Sequence, residues 1–410
     1  MRLSGNLWRH GDFLRLWLAD TVSQLTRQVT GLALPTVAVL LLDVTPLQMG
    51  ILSALEFLAF PLLGLFVGVW ADRFGRKPML VVSNLVRMAT LATVPAAYVA
   101  HLLSLYQLYA VALVMGVGGV FFEITYQAYL PSLIDKKDLV EGNTKLTASG
   151  SFAQASGQGL AGLLMTVFGA ALSVGADVAG FLVSAVALAS IRKKEPRQER
   201  AREDFFLEMK EGAKVVLGNK TLWSIAGCSA TANLGGNMAY TMLLIFAYRS
   251  LGLTTSVIWI PFMVGIAGVA LGAIAAGGIT RRLGLGHAIA AGAMGKFFLL
   301  LIPLASYGLP LVVLAASQFL TAFFLPVYNI NQVSLRQAMT PDRLQGRMNA
   351  TMRTIVWGTI PVGAVLGGLA GNAVGVVPTI IAGGVLGGSA FLWVVLGPVF
   401  GLRGQPAELL

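Results

Sequence analysis

The chain has 410 residues, 56% of them hydrophobic and only 11% charged, with a mean hydropathy of +0.77. A soluble domain carries about 25% charged residues, so this chain cannot cover a water-facing surface of its own size. A soluble enzyme and a disordered chain are both excluded, and a polytopic membrane protein remains. The single cysteine, Cys228, excludes an internal disulfide and any multi-thiolate metal site. His10, His101 and His287 lie far apart, so neither a metal nor a cofactor is expected.

A spanning helix needs about 20 mostly apolar residues. Twelve such stretches are predicted, in chain order 13–42, 46–70, 78–100, 105–130, 143–168, 171–191, 220–249, 254–279, 287–305, 309–334, 346–371 and 376–402. The first is too long and too polar for a cleavable leader, with Asp20, Gln24 and Arg27 inside it. Glycines four apart, such as Gly268 with Gly272 and Gly363 with Gly367, predict close helix packing.

The net charge of +11 raises nucleic acid as a partner, but the distribution assigns it to membrane topology. Of 29 Lys and Arg, 24 fall on one side: the N-terminus, the turns after spans 2, 4, 8 and 10, the stretch from Arg192 to Lys220, and Arg403. The other side receives Arg249, and Arg27, Arg87, Lys296 and Arg353 lie within spans. The positive-inside rule then places both termini in the cytoplasm and removes the need for nucleic acid.

Residues 192–219 form the one long polar stretch and divide the chain into halves, 1–191 and 220–410, of six spans each. Within it Phe205, Phe206, Leu207 and Met209, set among Glu and Lys, predict a short amphipathic helix on the inner membrane surface. The halves echo each other: Gly68, Arg73, Gly75 and Arg87 return 209 residues later as Gly277, Arg282, Gly284 and Lys296. The spacing of Asp20, Gln24 and Arg27 in span 1 returns as Asn233, Asn237 and Tyr240 in span 7. Duplicated six-span halves are the signature of secondary transporters.

Charges inside spans are costly and should face a cavity or another helix. Asp20, Gln24 and Arg27 share one face of span 1, and Glu123 and Tyr126 share a face of span 4. Glu56 is deep in span 2, while Asn233, Asn237 and Tyr240 stripe span 7, and Asn329 and Gln332 stripe span 10. Glu123, Asp20 and Glu56, in that order, are the candidate proton carriers. Arg27 is the candidate counter-charge or contact for an anionic substrate, and the other polar residues are the candidate cavity lining. The plain alternative is an internal ion pair in which Asp20 or Glu123 neutralises Arg27. For Arg87 and Lys296 a structural anchor is the favoured role. Aromatics near these stripes, with one or two carboxylates, suit amphipathic and often cationic drug-like compounds.

The segment Gly68-Val-Trp-Ala-Asp72-Arg73-Phe-Gly75-Arg76-Lys77 resembles motif A of the major facilitator superfamily, with a degenerate second copy in the other half. The opening Trp8 to Trp17, Tyr129-Leu-Pro-Ser-Leu133 and Leu139 to Asn143 resemble the branch of bacterial exporters that includes enterobactin and macrolide efflux proteins. The resemblance covers essentially the whole chain. It implies an all-α fold of two six-helix bundles around a cavity lined by spans 1, 4, 7 and 10, working by alternating access in a bacterial inner membrane. It also implies that Gly68, Asp72, Arg73, Gly75, Arg76 and Lys77 gate the cytoplasmic side and do not bind substrate. One departure concerns span 5, where Gln158 replaces the proline of the Gly-Pro-x-x-Gly-Gly pattern of family antiporters; Gln158 is open to hydrogen-bonding across the halves.

No phosphate-binding loop exists around Gly295-Lys296, and no Ser/His/Asp set lies in the spans, so neither a pump driven by ATP nor an enzyme is expected. The reading is a monomeric exporter of small amphipathic molecules (drug, antibiotic or secondary metabolite) by proton antiport. The alternatives are an exporter or flippase of a siderophore-like or lipid-like molecule, or a proton symporter. Partners are the substrate, protons and the lipid bilayer.

Overall fold

A computed structural model describes residues 6–193, 195 and 205–404. Within these, the side chains at 6, 65, 68, 69, 71–73, 136, 155, 205–209 and 342 lie outside the description. The long helices are α1 (Gly11–Leu41), α2 (Pro46–Phe74), α3 (Arg76–Val99), α4 (Leu105–Leu133) and α5 (Leu139–Ala189). After the short α6 (Phe205–Gly218) come α7 (Lys220–Ile245), α8 (Trp259–Leu283), α9 (Leu285–Met294), α10 (Pro310–Ala338) and α11 (Asp342–Val374). The last span is broken into α12 (Val376–Ser389) and α13 (Leu392–Val395).

Among the described residues, nine helices are long and apolar enough to cross a membrane. One of them, α5, is two helices joined at Gly169, whose φ of 77° breaks the helical path. The two long helices that fall short are α1 and α7, the first span of each predicted half. Both are diluted by polar stripes, Gln24, Arg27 and Gln28 in one, Asn233 and Asn237 in the other. With both arms of α5 they complete the all-α, twelve-span major facilitator fold. Three boundaries move: residues 254–258 are turn ahead of α8, Phe246–Ser250 closes α7 as a π turn, and Gly295–Tyr307 continues α9 as a 3-10 helix.

By internal contacts the chain separates into two units, Met1–Asp43 with Leu55–Arg200, and Val44–Ala54 with Ala201–Leu410. The opening of α2 thus groups with the second unit. Backbone geometry carries the repeat further than the sequence does. Positive φ occurs at Asp43, Gly75, His101 and Gly169, and again at Gly252, Gly284, Leu309 and Gly375, which follow 209, 209, 208 and 206 residues later. Gly75 and Gly284 each join two helices with no loop between them, at φ 86° and 84°. Side chains with a Cβ are strained in this region, so the tight turn calls for glycine.

In the first unit α1 and α3 pack along α5, and α3 packs on α4. Phe13, Leu16, Leu80, Tyr129, Leu133 and Leu188 form a core at one end. Asp12 ties that end together by accepting the backbone N–H groups of Arg192 and Lys193, each at 3.0 Å, and Arg15 at 2.6 Å. In the second unit α8 packs on α10, and α7 on α11 and α12. A Cβ at Gly272 would lie 2.0 Å from the Phe323 carbonyl oxygen, so the α8–α10 approach requires its absence. The predicted linker helix exists as α6, although Phe205, Phe206, Leu207 and Met209 lie outside the described side chains. The rest of α6 docks on α11: Val216 packs with Met348 and Met352, and Glu211 pairs with Arg347.

Candidate functional site

The helical period places Asp20, Gln24 and Arg27 on successive turns of α1. Asp20 is buried, and its carboxylate accepts the Gln24 amide at 2.6 Å and the Tyr126 hydroxyl from α4. One turn before Tyr126, Glu123 lies 3.7 Å from the Arg27 guanidinium, with half of the Arg27 side chain and a quarter of the Glu123 side chain exposed. Arg27 is also the cation whose field reaches Glu56 on α2. All three candidate carboxylates therefore share one guanidinium. A pocket of about 520 Å³ opens beside them, lined by Arg27 and the amides of Gln24, Gln28, Gln127, Asn143 and Gln154.

Three features here escaped the sequence reading. Gln28, Gln127 and Gln154 enter the lining from α1, α4 and α5; their repetition at the levels of known polar positions was the available signal. Gln158 does not reach across the halves. Its amide donates to Gln28 at 3.0 Å, inside the first unit, because α5 packs directly on α1. Asp177, seven residues beyond Ala170 in the second arm of α5, is fully buried and accepts the Thr30 hydroxyl of α1, while its Oδ1 has no partner. A lone Asp in an otherwise apolar span was readable from the sequence.

The second unit holds a cavity of about 420 Å³ between α7, α9, α10 and α11. Asn233, Asn329 and Gln332 line it, whereas Asn237 and Tyr240 do not. Asn237 donates to the Asn233 carbonyl at 2.8 Å, and the Tyr240 hydroxyl donates to Gln318 at 3.1 Å. The lining also contains Lys296, Arg336 and Arg353, none of which was a candidate. Arg87 and Lys296, matched in sequence, part company here. Arg87 is enclosed, bonded to Asn84 and set between the rings of Phe122 and Phe181 at 4.8 and 4.5 Å. Lys296 faces the cavity, with the Tyr240 ring 5.4 Å from its ammonium.

Of the motif A residues, Gly75 makes the turn between α2 and α3. The backbone N–H of Arg76 donates to Glu195 at 2.8 Å, and the Lys77 ammonium donates to the Ile191 carbonyl at 2.6 Å. These contacts stay within the first unit and hold the turn against the end of α5. The side chains of Asp72 and Arg73, and the surroundings of Gly68, lie outside the described residues.

Paired six-span repeats with polar stripes on the first helix of each define a membrane transporter. The sequence profile of the Major Facilitator Superfamily matches residues 16–310, and the chain belongs to that superfamily, whose members are transporters and not enzymes. Macrolide efflux protein A of Streptococcus pyogenes is 24% identical over 226 residues, covering 54% of this chain and 54% of that protein. The chain thus matches about half the length of the curated relatives. A bacterial homologue of the iron transporter ferroportin, in an inward-facing state, superposes with a TM-score of 0.75 at 15% identity, covering 95% of this chain and 100% of that one. The nucleoside transporter NupG superposes with a TM-score of 0.69 at 14% identity, covering 94% and 98%. These identities establish the fold alone.

Proposed function

We propose that the protein is a secondary exporter of small amphipathic molecules, driven by protons flowing inward through alternating access. The observation that carries this reading is the grouping of Asp20, Glu56 and Glu123 around the single guanidinium of Arg27. Carboxylates held this deep in an apolar bundle are costly to keep charged, and taking up a proton relieves that cost. Glu123 is the first-ranked carrier because its pairing with Arg27 is long and partly open to solvent, and Asp20 is the second because Tyr126 and Gln24 already satisfy it. Export is supported by the similarity to a macrolide efflux protein. The distribution of Lys and Arg supports a cytoplasmic location for both termini in a bacterial inner membrane, and nothing in the mechanism requires more than a monomer. Halves 1–191 and 220–410 are the moving bodies of this scheme, with the motif A turn as their gate.

The test uses purified protein in liposomes with an imposed pH gradient and a panel of cationic, neutral and anionic amphiphiles. Amphiphile-dependent proton movement into or out of the lumen is the expected result. A panel that moves no protons, while the same vesicles accumulate a panel member independently of pH, would overturn proton coupling.

A further inference from the structure

We infer that the cavity of the second unit is an anion-binding site, built to hold the carboxylate, sulfonate or phosphate group of an otherwise apolar molecule. This rests on the transporter reading above for its role in transport, though not for binding itself. Lys296 from the start of the 3-10 segment after α9, Arg336 from α10 and Arg353 from α11 all line the one cavity. The lining contains no Asp or Glu. The surrounding sequence cannot supply one: residues 220–404 hold ten Lys and Arg but a single acidic residue, Asp342, at the first position of α11.

Two of these cations, Lys296 and Arg336, are also incompletely satisfied among the described residues. Among the described residues the Lys296 ammonium meets only the face of Tyr240, at 5.4 Å. Arg336 Nε is buried without a hydrogen-bond partner, as are Thr321 Oγ1 and Gln332 Oε1 on the same wall. Arg353 stacks on Trp357, its guanidinium 5.4 Å from the ring. Arg87 contrasts with them: it is buried, bonded to Asn84 and set between Phe122 and Phe181. Like charges held at the edge of one cavity repel, and a bound anion relieves that repulsion by charge-assisted hydrogen bonds. The remaining wall, Leu325, Met352, Val356, Trp357 and Ile360, is apolar and fits a hydrophobic body. A volume of about 420 Å³ lies within the range of small-molecule sites. The favoured substrate is therefore an acidic amphiphile and not the cationic one that carboxylates near aromatics suggested.

The experiment measures binding of 2-naphthoate, 2-naphthamide and 2-naphthylmethylammonium to the full chain in phosphatidylcholine nanodiscs by calorimetry. Naphthoate is expected to bind at least about tenfold more tightly than the amide, with the ammonium weakest, since charge-assisted bonds are roughly twice as strong as neutral ones. Lys296→Gln and Arg336→Gln should each weaken naphthoate about tenfold and leave the amide unchanged, while Lys296→Arg keeps affinity. Nanodiscs doped with phosphatidylglycerol separate the sources of the anion. Competition with naphthoate identifies a lipid headgroup, and its absence identifies a soluble acid; either supports an anion site. Equal affinity for all three probes in the unaltered protein overturns the inference, whatever the variants do. So does full naphthoate affinity in both charge-neutralised variants. Selective anion binding without any coupled proton movement in liposomes would strike the exporter reading and leave this site standing. Proton exchange driven by cationic amphiphiles, with no anion binding, would do the reverse.

Discussion

Replacing Glu123 by glutamine separates a proton carrier from a structural ion pair. At the 3.7 Å separation from Arg27, two unit charges attract by about 4.5 kcal/mol at an effective dielectric constant of about 20. That figure is an upper limit, because 50% of the Arg27 side chain and 26% of the Glu123 side chain are open to solvent. Pairs this exposed contribute about 0–1 kcal/mol once screening is included. Glu123→Gln keeps the shape and a hydrogen-bonding oxygen, so the solubilised variant should lose about 1 kcal/mol or less. Thermal unfolding followed by tryptophan fluorescence should therefore place its Tm within a few degrees of the parent. In liposomes, the transport rate of the same variant should fall to the level seen without a pH gradient, because a carboxamide cannot release a proton. Two results would refute the reasoning. Normal gradient-driven transport would pass the carrier role to Asp20 or Glu56. A loss of several kcal/mol in stability would show the pair to be structural despite its exposure.

Three further outcomes follow from packing and hydrogen bonding. Gly272→Ala puts a methyl 2.0 Å from the Phe323 carbonyl oxygen and should destabilise by about 1–3 kcal/mol as α8 is forced off α10; Gly277→Ala, with nothing within 4 Å, should be neutral or slightly stabilising in the same melting assay. Thr30→Val removes the hydroxyl that Asp177 accepts and leaves the fully buried carboxyl only the backbone N–H of residue 30, and should cost about 1–3 kcal/mol by thermal unfolding; a Tm equal to the parent's would show that Asp177 finds another donor. Asp12→Ala frees two backbone N–H groups after α5 as well as Arg15 and should cost about 2 kcal/mol, read most directly as faster amide exchange at Arg192 and Lys193.

The fold was legible because its signals are long-range and redundant. Hydrophobic runs mark the spans, and Gly75 with Gly284 mark the repeat. The apolarity criterion that marks most spans fails on α1 and α7, where Gln24, Arg27, Gln28, Asn233 and Asn237 dilute the apolar run. Period alone could pair Asp20, Gln24 and Arg27 on one face, and it did. It could not show that Asn237 turns back to its own helix or that Gln158 meets Gln28, since both depend on which neighbour lies alongside. Lys296 was the instructive miss. Its repetition of Arg87 suggested a shared structural duty, but Arg87 is enclosed by Phe122 and Phe181, and Lys296 faces the cavity with its ammonium over the Tyr240 ring. Duplication preserves position, whereas burial is decided by neighbours that diverge.

That divergence gives the two units opposite electrical characters. Within the spans of the first unit the carboxylates Asp20, Glu56, Glu123 and Asp177 outnumber the cations Arg27 and Arg87. Inside the second, Lys296, Arg336 and Arg353 line a cavity whose described lining holds no Asp or Glu. An interior with surplus carboxylates draws protons, and one with surplus cations draws anions. Had both units carried mixed pairs, each would be self-neutralising and neither would respond to the charge of a ligand. Because the imbalance is segregated, loading protons on one unit and an acidic substrate on the other would each reduce an internal repulsion without competing for the same side chains. In such an arrangement proton and substrate are coupled through the conformational change and not through a shared site. The consequence is specific: Glu123→Gln should abolish the pH dependence of transport while leaving naphthoate affinity unchanged, and Lys296→Gln should weaken naphthoate while the apparent pKa governing transport of any neutral amphiphile stays where it was. A shift of naphthoate affinity in Glu123→Gln would place proton and substrate on one site and dismantle the segregated scheme.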